Sequence, residues 1–235
     1  MNPIIITAFY CACAVAAGVF EGNGAVYCFN RMPASWLCDY GQKPPKELTD
    51  PYTQRIRSMP WKYIFTMLFI VLNIRLVTED PVFALAASAA IWVLLELSIA
   101  DIKYRIVPDQ LLIMLAVTGM GMISYQSSWR DAAFGAVAGF GIMGAVALLG
   151  RAIYRSEAVG GGDIKLVAVL GFLCGTSGII VVFAVASFLS SAHFVILLVR
   201  KKIKKSDHMA MVPYFAFAAS AYIVFFWGEW EFLAL

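Results

Sequence analysis

The chain has 235 residues, 61% of them apolar and only 14% charged, with a net charge of +3 and a mean hydropathy of +0.78. A soluble domain carries about 25% charged residues and under half apolar ones, so this composition excludes a soluble globular enzyme and points to an all-α polytopic membrane protein. The small net charge identifies no partner beyond the lipid bilayer, and no nucleic acid is expected.

A membrane-spanning helix needs about 20 mostly apolar residues, because the hydrocarbon core is about 30 Å thick. On that measure the chain holds eight candidate spans: Pro3 to Phe20 or on to Phe29, Trp61 to Val77, Val82 to Ala100, Val107 to Tyr125, Ala132 to Tyr154, Ile164 to Cys174, Ser177 to Val199, and Met209 to Trp227. The sixth is short and is expected either to span or to form a re-entrant pair with the seventh. The first lacks a basic n-region and runs past Ala12-Cys13-Ala14, so it reads as a retained helix and not as a cleaved signal peptide. The spans group into an N-terminal part, residues 1–80, with a polar loop at 31–60, and a membrane core, residues 81–235. Pro33, Pro44, Pro45, Pro51 and Pro60 punctuate the loop.

Charge placement tests this map. Arg31, Lys43, Lys46, Arg55, Arg57 and Lys62 fall between spans one and two, and Lys103 and Arg105 between three and four. Arg151, Arg155 and Lys165 fall between five and six, and Arg200, Lys201, Lys202, Lys204 and Lys205 between seven and eight. Sixteen of the eighteen basic residues thus lie in alternate connections, leaving Arg75 and Arg130 on the opposite side. Basic residues gather in cytosolic loops, so both termini are expected outside, with Glu229 and Glu231 near the C-terminal end. Trp61, Tyr63, Trp129, Phe226, Trp227 and Trp230 fall near span ends, where interfacial aromatics belong.

Cys11, Cys13, Cys28, Cys38 and Cys174 form no CxxC pair and read as small buried apolar residues. His193 and His208 are isolated, and no metal-binding spacing occurs. The chemistry rests instead on acidic residues at membrane depth, which are functional candidates by default: Glu96, Asp101 and Asp163. Asp101 closes one apolar run and Asp163 opens another, both at the same face. Two intervening spans return the chain across the 62 residues between them. Two close carboxylates share one proton. The ionised one can activate water while the protonated one donates to a carbonyl or leaving amine, which suits peptide hydrolysis without a metal. Gly160, Gly161 and Gly162 precede Asp163, allowing left-handed backbone and close approach of an extended substrate; the plainer reading is a flexible turn with Asp163 as a helix cap. Pro108-Asp109 reads as the start of span four, with Asp109 as a cap. Lys103, Arg105 and Lys165 read first as loop charges.

Asp101 followed by Pro108, Asp109 and Leu111, together with Gly160, Gly162, Asp163, Lys165 and Leu166 in the pattern GxGDxKL, resembles the type IV prepilin peptidase family of bacterial GxGD intramembrane aspartic proteases. Gly22 with Arg31-Met32-Pro33, and Val212-Pro213-Tyr214-Phe215, are weaker matches to the family's terminal segments. The resemblance implies a hydrolase of the inner membrane with Asp101 and Asp163 as the catalytic pair at the cytosolic face. It implies prepilin or pseudopilin precursors of pilus or secretion systems as substrates, each with a basic leader and an apolar helix. Glu96 or Asp109 is then a candidate receiver of the basic leader. Larger members carry two CxxC pairs in the first loop and N-methylate the product with S-adenosylmethionine. Here that loop holds only Cys38, within Trp36-Leu37-Cys38-Asp39, so the chain reads as a short form without the zinc element, and methyl transfer is not expected. The rival readings are an ion-coupled transporter using intramembrane carboxylates, a non-catalytic assembly factor, and a presenilin-like GxGD protease; against the first, the carboxylates lie at one face and no inverted repeat is visible, and against the last, no Tyr-Asp precedes the catalytic loop and no Pro-Ala-Leu occurs.

Overall fold

In hydrocarbon each backbone group must find its partner within its own segment, so bilayer-length apolar runs become helices. The computed structural model describes residues 3–38, 41, 43–50, 53–154, 159–202 and 209–228, and every regular element among them is helical. These are α1 (Pro3–Arg31), a 3₁₀ turn (Ala34–Trp36), α2 (Lys46–Thr49), α3 (Trp61–Glu79), α4 (Pro81–Tyr104), α5 (Asp109–Met120), a second 3₁₀ turn (Ile123–Tyr125), α6 (Trp129–Tyr154), α7 (Gly161–Val199) and α8 (Val212–Ala221), which runs into a π-helical turn (Tyr222–Phe226). Asp39, Pro51, Arg155, Lys204, Lys205, His208, Glu229, Trp230 and Glu231 lie outside the described residues.

Among the described residues, five helices are long and apolar enough to cross a bilayer: Ile5–Arg31, Trp61–Glu79, Pro81–Tyr104, Trp129–Ile153 and Gly161–Val199. Large apolar side chains such as Phe20, Leu148 and Phe188 stand more than 70% exposed on these helices, as lipid-facing residues do. The fourth expected span is shorter than its apolar run. Pro108 fixes its start, and the chain leaves the helix at Gly121 before the 3₁₀ turn. The eighth is likewise reduced to α8 and its π turn. The expected sixth and seventh spans are the two limbs of α7. Gly175 interrupts it with φ 72° and ψ 179°, a left-handed conformation open to glycine. Phe183 and Ser187 line the same cavity as Asp163, so the second limb doubles back along the first.

The chain divides into two compact units, Met1–Glu96 and Leu97–Leu235. In the first, α1 and α3 cross where glycine removes the side chain between them. A Cβ on Gly18 would fall 2.5 Å from the backbone of Ile70, and one on Gly22 2.3 Å from that of Thr66. A polar cluster fastens the same helices and ties in α4: Asn73 donates to Glu21 Oε2 at 2.6 Å, and the Trp92 indole of α4 donates to the Glu21 carbonyl at 3.1 Å. The buried Arg55 guanidinium donates to the carbonyls of Phe29, Met32 and Leu48, ending α1 and pinning the polar loop. Glu96 is fully buried, and neither carboxylate oxygen has a hydrogen-bond partner among the described residues.

In the second unit α6 packs on the first limb of α7 through Gly135, Gly139 and Gly171. A Cβ on Gly171 would fall 1.9 Å from the Gly135 carbonyl oxygen, the small-residue crossing that membrane helices use for close approach. The break at Gly175 is capped on both sides. Asp131 accepts from the Thr176 N–H at 3.0 Å, and the Gln126 amide donates to the Phe172 and Leu173 carbonyls at 3.0 and 2.9 Å. Of the cysteines only Cys174 is buried; Cys13 and Cys28 are exposed on α1 and Cys11 and Cys38 intermediate. The expectation of five buried cysteines is corrected, because most of the surface of α1 faces outward.

Two outcomes follow for thermal unfolding in detergent. Gly171→Ala lowers the midpoint by the equivalent of about 1–3 kcal/mol of overpacking, whereas Gly144→Ala, which has nothing within 4 Å of its Cβ, leaves it unchanged or slightly raised; equal shifts would contradict the crossing. Glu96→Met raises the midpoint by removing an unpartnered buried carboxyl, worth about 1–3 kcal/mol. A fall there would mean that Glu96 has a partner in the membrane.

Candidate active site

Asp101 occupies the last turn of α4 and is 6% exposed. The helix ends just beyond it, at Arg105, whose φ of 57° is left-handed. Asp101 Oδ2 accepts the Val212 N–H at 3.0 Å. The Met211 backbone and the Arg105 guanidinium also act on this carboxylate. The aspartate therefore caps the start of α8, a role for which no local signal exists in the sequence around residue 101.

Asp163 lies in the first turn of α7, behind Gly160 at the N-cap, and its N–H donates to the Gly160 carbonyl at 3.1 Å. It is partly buried. The Asp101 charge acts on the Asp163 carboxylate, to which the Gly160 backbone also bonds. The topology thus brings together two acids separated by 62 residues of chain.

The three glycines do different work from that expected. None of Gly160, Gly161 and Gly162 has a left-handed φ; the glycines that do are Gly41, Gly175 and Gly228. Gly162 is needed for close approach, since a Cβ there would fall 2.8 Å from Cβ of Val107. A Cβ on Gly161 would meet nothing within 4 Å. Pro108 occupies the N-cap of α5 with φ −65°, and Asp109 is the first helical residue. The Asp109 carboxylate is engaged by Lys165 Nζ, at 2.8 Å to one oxygen and 2.9 Å to the other. Pro108, Asp109, Gly160, Gly162, Asp163 and Lys165 therefore gather around the end of α4 that carries Asp101. Glu96, five residues earlier on α4, is enclosed and falls in the other unit.

Beside Asp163 opens a cavity of about 410 Å³, mostly apolar, lined among others by Met143, Val146 and Leu149 of α6, Phe183 of the second α7 limb, and Met211. His193, isolated in sequence, contacts the Tyr214 hydroxyl, joining that limb to the segment that bonds Asp101. Among the described residues no group of three or more His, Cys, Asp or Glu is placed to hold a metal ion. Two carboxylates in one field, next to an apolar cavity, can divide one proton between a base and an acid.

Residues 88–196 match the type IV leader peptidase family. The chain is 31% identical over 138 residues to a prepilin leader peptidase/N-methyltransferase of Xanthomonas campestris pv. campestris, covering 58% of this chain and 47% of the relative. Proteins of the same name from Stutzerimonas stutzeri and Aeromonas hydrophila are 28% and 29% identical, covering 59% and 62% of this chain and 48% and 50% of theirs. The chain thus spans about half the length of the curated relatives it matches. No solved structure matches it. Both aspartates lie inside the matched segment, residues 88–196, so the candidate pair falls in the part of the chain that is similar to type IV leader peptidases.

Proposed function

We propose that this protein is a membrane aspartic endopeptidase that removes the leader of prepilin or pseudopilin-like precursors, with Asp101 and Asp163 as general base and general acid. The observation that carries the reading is the gathering of the Asp101 and Asp163 segments through the Val107–Gly162 contact and the Asp109–Lys165 pair, inside the segment that matches the leader peptidase family. In this mechanism the ionised carboxyl takes a proton from water as the water attacks the scissile carbonyl. The protonated carboxyl then donates to the departing amine, and the proton taken from water passes across the pair to restore its starting state. The apolar cavity beside Asp163 suits a substrate whose cleavage point adjoins an apolar helix.

The location follows from charge. Both aspartates adjoin connections rich in Lys and Arg, which the positive-inside rule places in the cytosol, so cleavage is assigned to the cytosolic face of a bacterial inner membrane. Eight crossings with both termini outside fit this arrangement, the α7 hairpin counting as two. Residues 1–80 then serve as an N-terminal helical part and 81–235 as the peptidase core. Both oxygens of Asp109 are engaged by Lys165 and Glu96 is fully buried, so neither acid weighed as a receiver of a basic leader is assigned that role. The relatives' name includes N-methyltransferase. S-adenosylmethionine enters only with such a step, for which the proposal assigns no residues.

The ion-coupled transporter reading has one observation in its favour, the broken helix α7, since transporters build ion sites at such breaks. That break is closed by Asp131 and Gln126, and the cavity beside it is about 20 Å³, room for a single water.

Co-expression with a prepilin-like substrate tests the proposal through the mobility shift of leader loss. The wild type cleaves, and Asp101→Asn and Asp163→Asn, present at normal membrane levels, each lose about 10²–10⁴-fold in rate. Normal cleavage by either variant would remove that residue from the mechanism.

A further inference from the structure

We infer that the Asp109–Lys165 ion pair is the positioning element that sets the separation of Asp101 and Asp163; this rests on the peptidase reading of the two aspartates. The pair joins the start of α5, eight residues beyond Asp101, to the first turns of α7, two residues beyond Asp163. Without it, the covalent path between the aspartates runs through all of α5 and α6. With it, that path is closed by a short ring.

The ring holds the spacing from both sides. Val107 rests against Gly162, where even a Cβ would approach to 2.8 Å, so the loop before α5 cannot move closer to α7. The ammonium of Lys165 engages both oxygens of Asp109 at 2.8 and 2.9 Å, which biases the loop against drifting away. One contact is a steric stop and the other an electrostatic tie.

Lys165 does not act on the reacting atoms in this arrangement. Two residues apart on a helix, Asp163 and Lys165 point about 160° away from each other around its axis, and Lys165 reaches outward to Asp109. Nor is the pair a major source of stability. The two side chains are 57% and 47% exposed, and exposed ion pairs contribute little to folding. Its value lies in geometry: a misplacement of about 1 Å in a catalytic group can lower rate about 10²-fold.

The test uses the full chain reconstituted in liposomes, with a prepilin-like peptide, and compares Asp109→Lys, Lys165→Asp, the double charge swap, and Lys165→Arg. Each single reversal is expected to lower kcat about 10- to 100-fold with KM within about threefold. The swap and Lys165→Arg recover to within about fivefold of the wild type, and the unfolding midpoint stays near the wild-type value in all four. A second arm needs no substrate. Nitroxide labels at Ile102→Cys and Gly161→Cys, with the five native cysteines replaced by alanine, report the distance distribution across the site. It broadens in each single reversal and narrows again in the swap. A swap as slow as the single reversals, a loss confined to KM, or a distribution unchanged by the reversals would overturn the inference. Because the label arm reads the tie in a protein that cleaves nothing, failure of the clamp is distinguishable from failure of the peptidase reading.

Discussion

A bilayer offers the backbone no hydrogen-bond partners, and the main departures from helix in this chain have a side chain assigned to them. Arg55 gathers three carbonyls where α1 gives way to the polar loop. Asp131 and Gln126 divide the two broken ends of α7 at Gly175. Asp101 takes the first N–H of α8. These caps let irregular backbone exist within an apolar protein, and irregular backbone is what a site requires.

The consequence for the site is topological. A straight helix of 39 residues would be about 58 Å long and would carry Phe183 and Ser187 far from Asp163. The break returns them to the same cavity. The close crossing of α6 on the first limb of α7 depends on Gly135, Gly139 and Gly171. Asp101 is thus a structural cap for the segment that follows as well as one of the two proposed catalytic acids. An Asn at this position keeps an oxygen able to accept the Val212 N–H while losing the charge, so it separates those duties better than Ala.

Much of this was legible in the residues themselves. The apolar runs located α3, α4 and α6 to within a few residues, and the pattern around Asp101 and Asp163 singled out the two acids that the structure brings together. The gap left between Cys174 and Ser177 marked the break in α7. What was not legible depends on pairing across long stretches of chain. Nothing local to Arg55 announces three distant carbonyls, and nothing local to Asp109 announces Lys165; Asp109 read as a cap because the sequence shows only its neighbours. The glycine crossings had a signal, the four-residue spacing of Gly18 with Gly22 and of Gly135 with Gly139, but spacing alone does not say which helix will approach. The run Gly160-Gly161-Gly162 suggested left-handed backbone, whereas the requirement at Gly162 is space for Val107.

The most direct measurement of the central claim is the additivity of the two aspartates in reconstituted protein acting on a prepilin-like peptide. Groups that work as one unit lose nearly all catalysis when either is removed, and their effects do not add. If Asp101 and Asp163 form a dyad, Asp101→Asn and Asp163→Asn each lower kcat about 10²–10⁴-fold, and the double variant is no slower than the worse single. If the two losses multiply, or if one variant keeps the wild-type rate, the carboxylates do not act as a pair.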